Sequence, residues 1–82
     1  MFSHKLYIVA STKNLRDVNI EETYDGELFT LDTIVHGYEK KLKGKNYQVS
    51  RIGDNAYIDV LDADDELIKT YSIITKLAML SK

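Results

Sequence analysis

The sequence predicts a small α+β domain: a mostly antiparallel sheet of four to six strands with one main helix, at about 31–43, packed on one face. Three observations predict it. The stretch from Asn46 to Ile74 reads as two consecutive hairpins, a C-terminal three-stranded meander at about 47–74. Leu31, Ile34, Val35, Tyr38 and Leu42 fall on one stripe at helical spacing. The chain has 82 residues, too few for two separately cored units, so residues 1–82 read as a single domain.

In chain order, Lys5 to Ser11 carries Leu6, Tyr7, Ile8, Val9 and Ala10. Such a continuous apolar run predicts a buried first strand in the middle of the sheet. Thr12 to Asp17, with Leu15 and Val18 three apart, fits a single helical turn capped by Ser11 or Thr12 and fits a loop equally well. Val18 to Tyr24 alternates, which places Val18, Ile20, Glu22 and Tyr24 on one side of a second strand. Asp25-Gly26 is the best short turn signal in the chain and ends that strand. Asp25-Gly26-Glu27-Leu28 echoes Asp64-Asp65-Glu66-Leu67, which suggests two similar turns.

The helix has marked ends. Thr30 or Asp32 suits its start, where Asp32 meets the positive end of the helix dipole; Lys40, Lys41 and Lys43 suit its negative end, ahead of Gly44 as a left-handed cap. Gly37 interrupts it at a cost of about 1 kcal/mol relative to alanine, which points to a close approach of helix and sheet at that position.

In the meander, Tyr47 to Ile52 stops at Gly53-Asp54-Asn55, a turn sequence. Ala56 to Asp62 alternates, with Ala56, Ile58 and Val60 toward the core and Tyr57, Asp59 and Leu61 on the opposite face. Leu67 to Ile74 follows the polar turn Ala63-Asp64-Asp65-Glu66. A single helix from Asp62 competes with this third strand, because Leu67, Ile68, Tyr71, Ile74, Leu77 and Ala78 also share a helical face. The β-branched Thr70, Ile73, Ile74 and Thr75 favour the strand, since such residues lose side-chain freedom in a helix. Thr75 to Lys82 then fits a short terminal helix or an extension of the strand. The expected core comprises Leu6, Ile8, Ile34, Val35, Leu42, Val49, Ile58, Val60 and Ile73.

Composition narrows the classes of function. With 44% apolar residues and eight aromatics, six of them tyrosine, the chain has the material for a packed core. The absence of cysteine excludes disulfides, thiolate zinc sites and cysteine nucleophiles, and makes the cytoplasm the expected location. The longest apolar stretches, Leu6 to Ala10 and Ile73 to Leu80, fall short of the about 20 residues a membrane span needs, and Met1 to Ala10 lacks a secretory-signal pattern. The net charge of −2 is strongly segregated: six acids and no lysine or arginine from Glu21 to Glu39, five bases and no acid from Lys40 to Arg51, six acids from Gly53 to Glu66. Opposed blocks of this kind steer charged partners or a second copy of the chain, although they also serve as ordinary solvated surface.

Motifs for chemistry are sparse. Asp32 and His36 are four apart on the helix with Glu39 three further on, a spacing that can hold a divalent metal or orient an imidazole, although a soluble helix surface collects such residues by chance and that is the favoured reading. Asp62 to Glu66 is similar to the opening of a calcium loop but lacks its glycine and its twelfth-position glutamate. No phosphate-cradling loop, nucleophile elbow or paired-histidine zinc motif occurs, so neither an enzyme nor a cofactor or resident metal is expected. Lys40, Lys41, Lys43, Lys45 and Arg51, with Tyr47 or Tyr57 as a stacking ring, make nucleic-acid binding the alternative function; their simpler role is to complement the helix C-terminus. The favoured expectation is a non-enzymatic protein-interaction module, a regulator or inhibitor that occupies a partner's surface, as small phage and mobile-element proteins do. Tyr57, Leu61, Lys41 and Lys43 are its expected interface, and Tyr57 with Leu61 also suits a homodimer.

Overall fold

Leu67–Met79 is a single 13-residue strand and the longest element among the described residues. In the computed structural model, which describes residues 3–13 and 16–79, it is the last of six elements. These are β1 (Ser3–Lys13), β2 (Asp17–Asp25), α1 (Leu31–Lys41), β3 (Asn46–Ile52), β4 (Asn55–Leu61) and β5 (Leu67–Met79). The five strands form one sheet in the order β2-β1-β5-β4-β3, with every neighbouring pair antiparallel. The fold is thus the small α+β domain expected, with one helix on one face of an antiparallel sheet. β5 is paired along both edges, by β1 and β4, so a helix over the same residues would leave two ladders unmade. Leu15 and residues 80–82, which figured in the readings of the first turn and the terminus, lie outside the described residues.

Helix α1 ends two residues earlier than its lysines suggested, at Lys41, and is capped by Thr30, whose hydroxyl accepts from the Thr33 N–H at 3.2 Å. Gly44 follows with φ +88°, the left-handed geometry that glycine adopts without strain. The buried stripe of the helix, Ile34, Val35, Tyr38 and the adjoining Leu42, packs on Tyr7 and Val9 of β1, Ala56, Ile58 and Val60 of β4, and Ile73 of β5. Val9, Ile58 and Ile73 are wholly buried; truncating such a residue to alanine costs about 2–5 kcal/mol.

The core differs from expectation in β1 and β3. Only one face of β1 is covered, so its apolar run divides by parity: Tyr7 and Val9 face the helix, while Leu6 and Ile8 lie half-buried on the uncovered face. Val49 faces the helix side but sits on edge strand β3, outside the buried cluster, and stays 36% exposed. In β2 the expected single face is broken by a bulge. Val9 pairs with Glu22 but Ala10 with Ile20, so Glu21 is an extra residue. Val18 and Ile20 therefore turn to the uncovered face, whereas Glu21, Glu22 and Tyr24 remain on the helix side.

The glycines separate into needed and unneeded ones. Gly26 donates its N–H to the Lys5 carbonyl at 2.8 Å, and a Cβ at this position would lie 2.5 Å from that oxygen. Gly37 is exposed, and a Cβ there would meet nothing within 4 Å, so no close approach of helix and sheet explains it. Gly26→Ala should lower stability by roughly 1–3 kcal/mol, because the β1 and β2 backbones must separate. Gly37→Ala should raise it by up to about 1 kcal/mol through helix propensity. Thermal unfolding of the two variants should move in opposite directions.

Candidate interaction surfaces

Pairing across the sheet defines a face that no element covers. Across three successive rows it carries Val18, Thr12, Thr70, Asp59 and Gln48; then Ile20, Ala10, Ser72, Tyr57 and Ser50; then Thr23, Ile8 and Ile74. Leu6 and Lys76 lie one row beyond, and Leu61 and Leu67 close the opposite end. The face carries apolar side chains on β1 and β2, joined by Ile74 of β5, with Val18 65% and Ile20 64% exposed. Its charges, Asp25, Asp59 and Lys76, are few, and Asp59 accepts a hydrogen bond from the Thr70 hydroxyl at 2.9 Å. Tyr57 and Leu61 both stand on this face, half-buried among their cross-strand neighbours. Neither Ile20 nor Ile8 could be placed here from alternation alone, because the bulge and the all-apolar run hide their parity.

The five bases of Lys40 to Arg51 do not gather on one surface. Lys41 turns toward β2, with its Nζ 4.8 Å above the Tyr38 ring and 3.9 Å from Glu22. Lys40 and Lys43 border a shallow depression on the other side of the helix, beside His36, Glu39, Gly44 and Tyr47. Lys45 borders a larger open cleft of about 500 Å3, whose lining includes Leu42, Val60, Ile68 and Tyr71 together with Asp62. Arg51 sits at the opposite end of the helix in an ion pair with Asp32. Tyr47 and Tyr57, the two candidate stacking rings, belong to opposite faces of the sheet.

Asp32 and His36 are likewise divided. Asp32 is held by Arg51, and the His36 Nδ1 lies 3.4 Å from Glu39. Among the described residues no group of three or more histidine or acidic side chains has the geometry to hold a metal ion. In the acidic turn, Asp62 Oδ1 accepts from the N–H groups of Asp64 at 2.8 Å and Glu66 at 3.0 Å, and Asp65 adopts φ 62°. Asp25 does the same for the Glu27 N–H at 2.8 Å, so the resemblance between the two turns lies in an aspartate that caps its own backbone.

On the covered face, the β2 bulge sets two consecutive carboxylates beside the core. Glu21 accepts from the buried Ser11 hydroxyl at 2.6 Å, and Glu22 accepts from the Tyr38 hydroxyl at 2.5 Å. Hydrogen bonds from Tyr38 and then Tyr24, with Lys41 nearby, hold the Glu22 carboxyl below its usual range. Burial first, and then the Glu22 charge, pushes the Tyr38 phenol far above its own. Tyr38 therefore stays a proton donor at every physiological pH and acts as a clip between helix and edge strand, not as a base.

No protein-family model, curated protein or solved structure matches this chain.

The clip gives stability a defined pH window. A carboxylate with a lowered folded pKa stabilises above its ordinary value of 4.5, and that contribution fades as pH falls below it. A phenol with a raised folded pKa stabilises below its ordinary value of 10.0, and that contribution fades as pH rises above it. Glu22→Gln should flatten the acid limb of the stability profile, and Tyr38→Phe should flatten the alkaline limb while costing about 1 kcal/mol at neutral pH. Urea unfolding from pH 3 to pH 11 checks both.

Proposed function

We propose that this chain is a non-enzymatic protein-interaction module, working in the cytoplasm, which acts by laying its uncovered sheet face on a partner protein. The observation that carries this is the composition of that face: Leu6, Ile8, Val18, Ile20 and Ile74 form an apolar tract continuous across β2, β1 and β5. An antiparallel sheet with one solvated face ordinarily alternates apolar inward and polar outward. An apolar tract rimmed by polar residues such as Gln48, Asp59 and Lys76 is what a recognition surface requires. Tyr57, beside this tract, supplies a rigid ring with a polar tip, the side-chain type most often found as an interface anchor.

Nucleic-acid binding through Lys40, Lys41, Lys43, Lys45 and Arg51 is the second reading, less favoured because Lys41 and Arg51 are engaged by Glu22 and Asp32. Among the described residues no helix is long and apolar enough to cross a membrane.

Affinity capture with the tagged chain from the cells that make it, after nuclease treatment and at high salt, tests the proposal. A partner protein should be retained under both conditions. Ile20→Lys and Tyr57→Lys, exposed or half-exposed positions whose replacement spares the core, should reduce its recovery at least tenfold while circular dichroism stays native. Capture that vanishes with nuclease, or that ignores both substitutions, overturns it.

A further inference from the structure

We propose that β3 pairs edge to edge with β3 of a second copy of this chain, around a two-fold axis at Val49. The sheet has two edges, and they are treated differently. Edge strand β2 is interrupted by the Glu21 bulge and carries Asp17, Glu21, Glu22 and Asp25. Bulges and charge are the ordinary defences of an exposed edge. Edge strand β3 has no bulge and no acid. Its seven residues, Asn46–Ile52, pair with β4 in unbroken register, without proline or acid. Its one charge, Arg51, is already neutralised by Asp32 of its own helix.

Geometry fixes which groups β3 offers. The two-residue turn Gly53-Asp54 makes Ile52 and Asn55 a hydrogen-bonded pair, so alternation along the ladder commits Asn46, Gln48, Ser50 and Ile52 to β4. Tyr47, Val49 and Arg51 then direct their N–H and C=O groups outward from the sheet. A second β3, antiparallel and centred on Val49, meets these groups in three pairs: Val49 opposite Val49, and Tyr47 opposite Arg51 twice. Each pair exchanges two hydrogen bonds.

Side chains agree with that register. Tyr47 opposite Arg51 is an aromatic–cation pair, Gln48 opposite Ser50 is polar, and no like charges meet. Moving the axis to Gln48 sets Lys45 opposite Arg51, two like charges. The helices concur as well. α1 runs antiparallel to β3, with Glu39 bonded to Tyr47 and Asp32 to Arg51, so the two-fold turns the acidic start of one helix toward the lysine-bearing end of the other. This contact is isologous and closes at two copies, whereas joining acidic β2 to β3 would propagate without end.

The paired strip is about 24 Å long at roughly 3.4 Å per residue, and narrower than a standard interface, so the dimer should be concentration-dependent. Sedimentation equilibrium up to about 1 mM protein should show the mass rising from monomer toward dimer. Amide exchange should report protection of Tyr47, Val49 and Arg51 that grows with concentration, while Gln48 and Ser50 stay protected throughout. Val49→Lys puts two like charges on the axis at a partly exposed position and should weaken association at least tenfold without unfolding the chain. A chain that stays monomeric at about 1 mM overturns the proposal. So does a dimer that ignores Val49→Lys and leaves the amides of Tyr47, Val49 and Arg51 freely exchanging, which would assign self-association to the uncovered sheet face instead.

Discussion

The ladder between β1 and β5 is the interaction on which the rest of the structure depends. It joins strands from opposite ends of the chain, from the Ser3–Met79 pair to the Lys13–Lys69 pair, and it fuses the β1–β2 hairpin to the β3–β4–β5 meander. Either hairpin unit alone would expose a sheet edge and lack half of the floor beneath the helix. With the ladder in place, Val9 and Ile73 come opposite each other in the centre of the core, and the helix has strands beneath it from both units. The loop closed by this pairing is nearly the whole chain, which makes the contact slow to form and the fold cooperative.

A single helix can cover only one face of five strands, and this limit divides the molecule into a structural side and an available side. On the covered side the polar groups are used up internally: Ser11 with Glu21, Tyr38 with Glu22, Tyr47 with Glu39 and Arg51 with Asp32. Among the described residues no buried side-chain polar atom lacks a partner. The cluster around Glu22 anchors edge strand β2, to the helix through Tyr38 and Lys41 and to β1 through Ser11. The other face and the outer edge of β3, by contrast, leave apolar side chains and backbone groups exposed.

Elements whose evidence is local were legible in the sequence. The helix declares itself through Leu31, Ile34, Val35, Tyr38 and Leu42 with a capping Thr30, and β4 through the alternation of Ala56, Ile58 and Val60; both stripes are buried as expected, apart from the half-buried Leu31. What escaped was parity where both parities are apolar. Leu6-Tyr7-Ile8-Val9 supports either assignment, and only the position of the helix selects Tyr7 and Val9 for the core. The bulge at Glu21 escaped because nothing in Asn19-Ile20-Glu21-Glu22 signals an extra residue, yet one residue moves Val18 and Ile20 to the other face. The basic cluster divides in space for a related reason. Neighbours in sequence at a helix end diverge in space by about 100° per residue, so Lys41 and Lys43 serve different sides of the helix. Of the candidate interface, Tyr57 and Leu61 could be assigned to a face from alternation, whereas Ile8, Ile20 and Ile74 needed the tertiary pairing.

The open face and the open edge reinforce one another. A strand added at β3 leaves the outer rows of the sheet untouched, since Gln48 and Ser50 point to that face while the pairing uses backbone groups in the plane of the sheet. Two copies joined at β3 would therefore present a ten-stranded sheet with both apolar tracts on the same side, because a two-fold axis normal to an antiparallel pair keeps the two faces in common. Each tract lies at the far end of its sheet, over β2, β1 and β5, so the proposed dimer would carry two separated apolar tracts and a polar middle formed by Gln48, Ser50 and Asp59. That spacing favours a symmetric or repetitive partner, for which a second contact follows the first at high effective concentration. On the proposed dimer, a small domain with a modest contact surface would thereby gain affinity without enlarging its core.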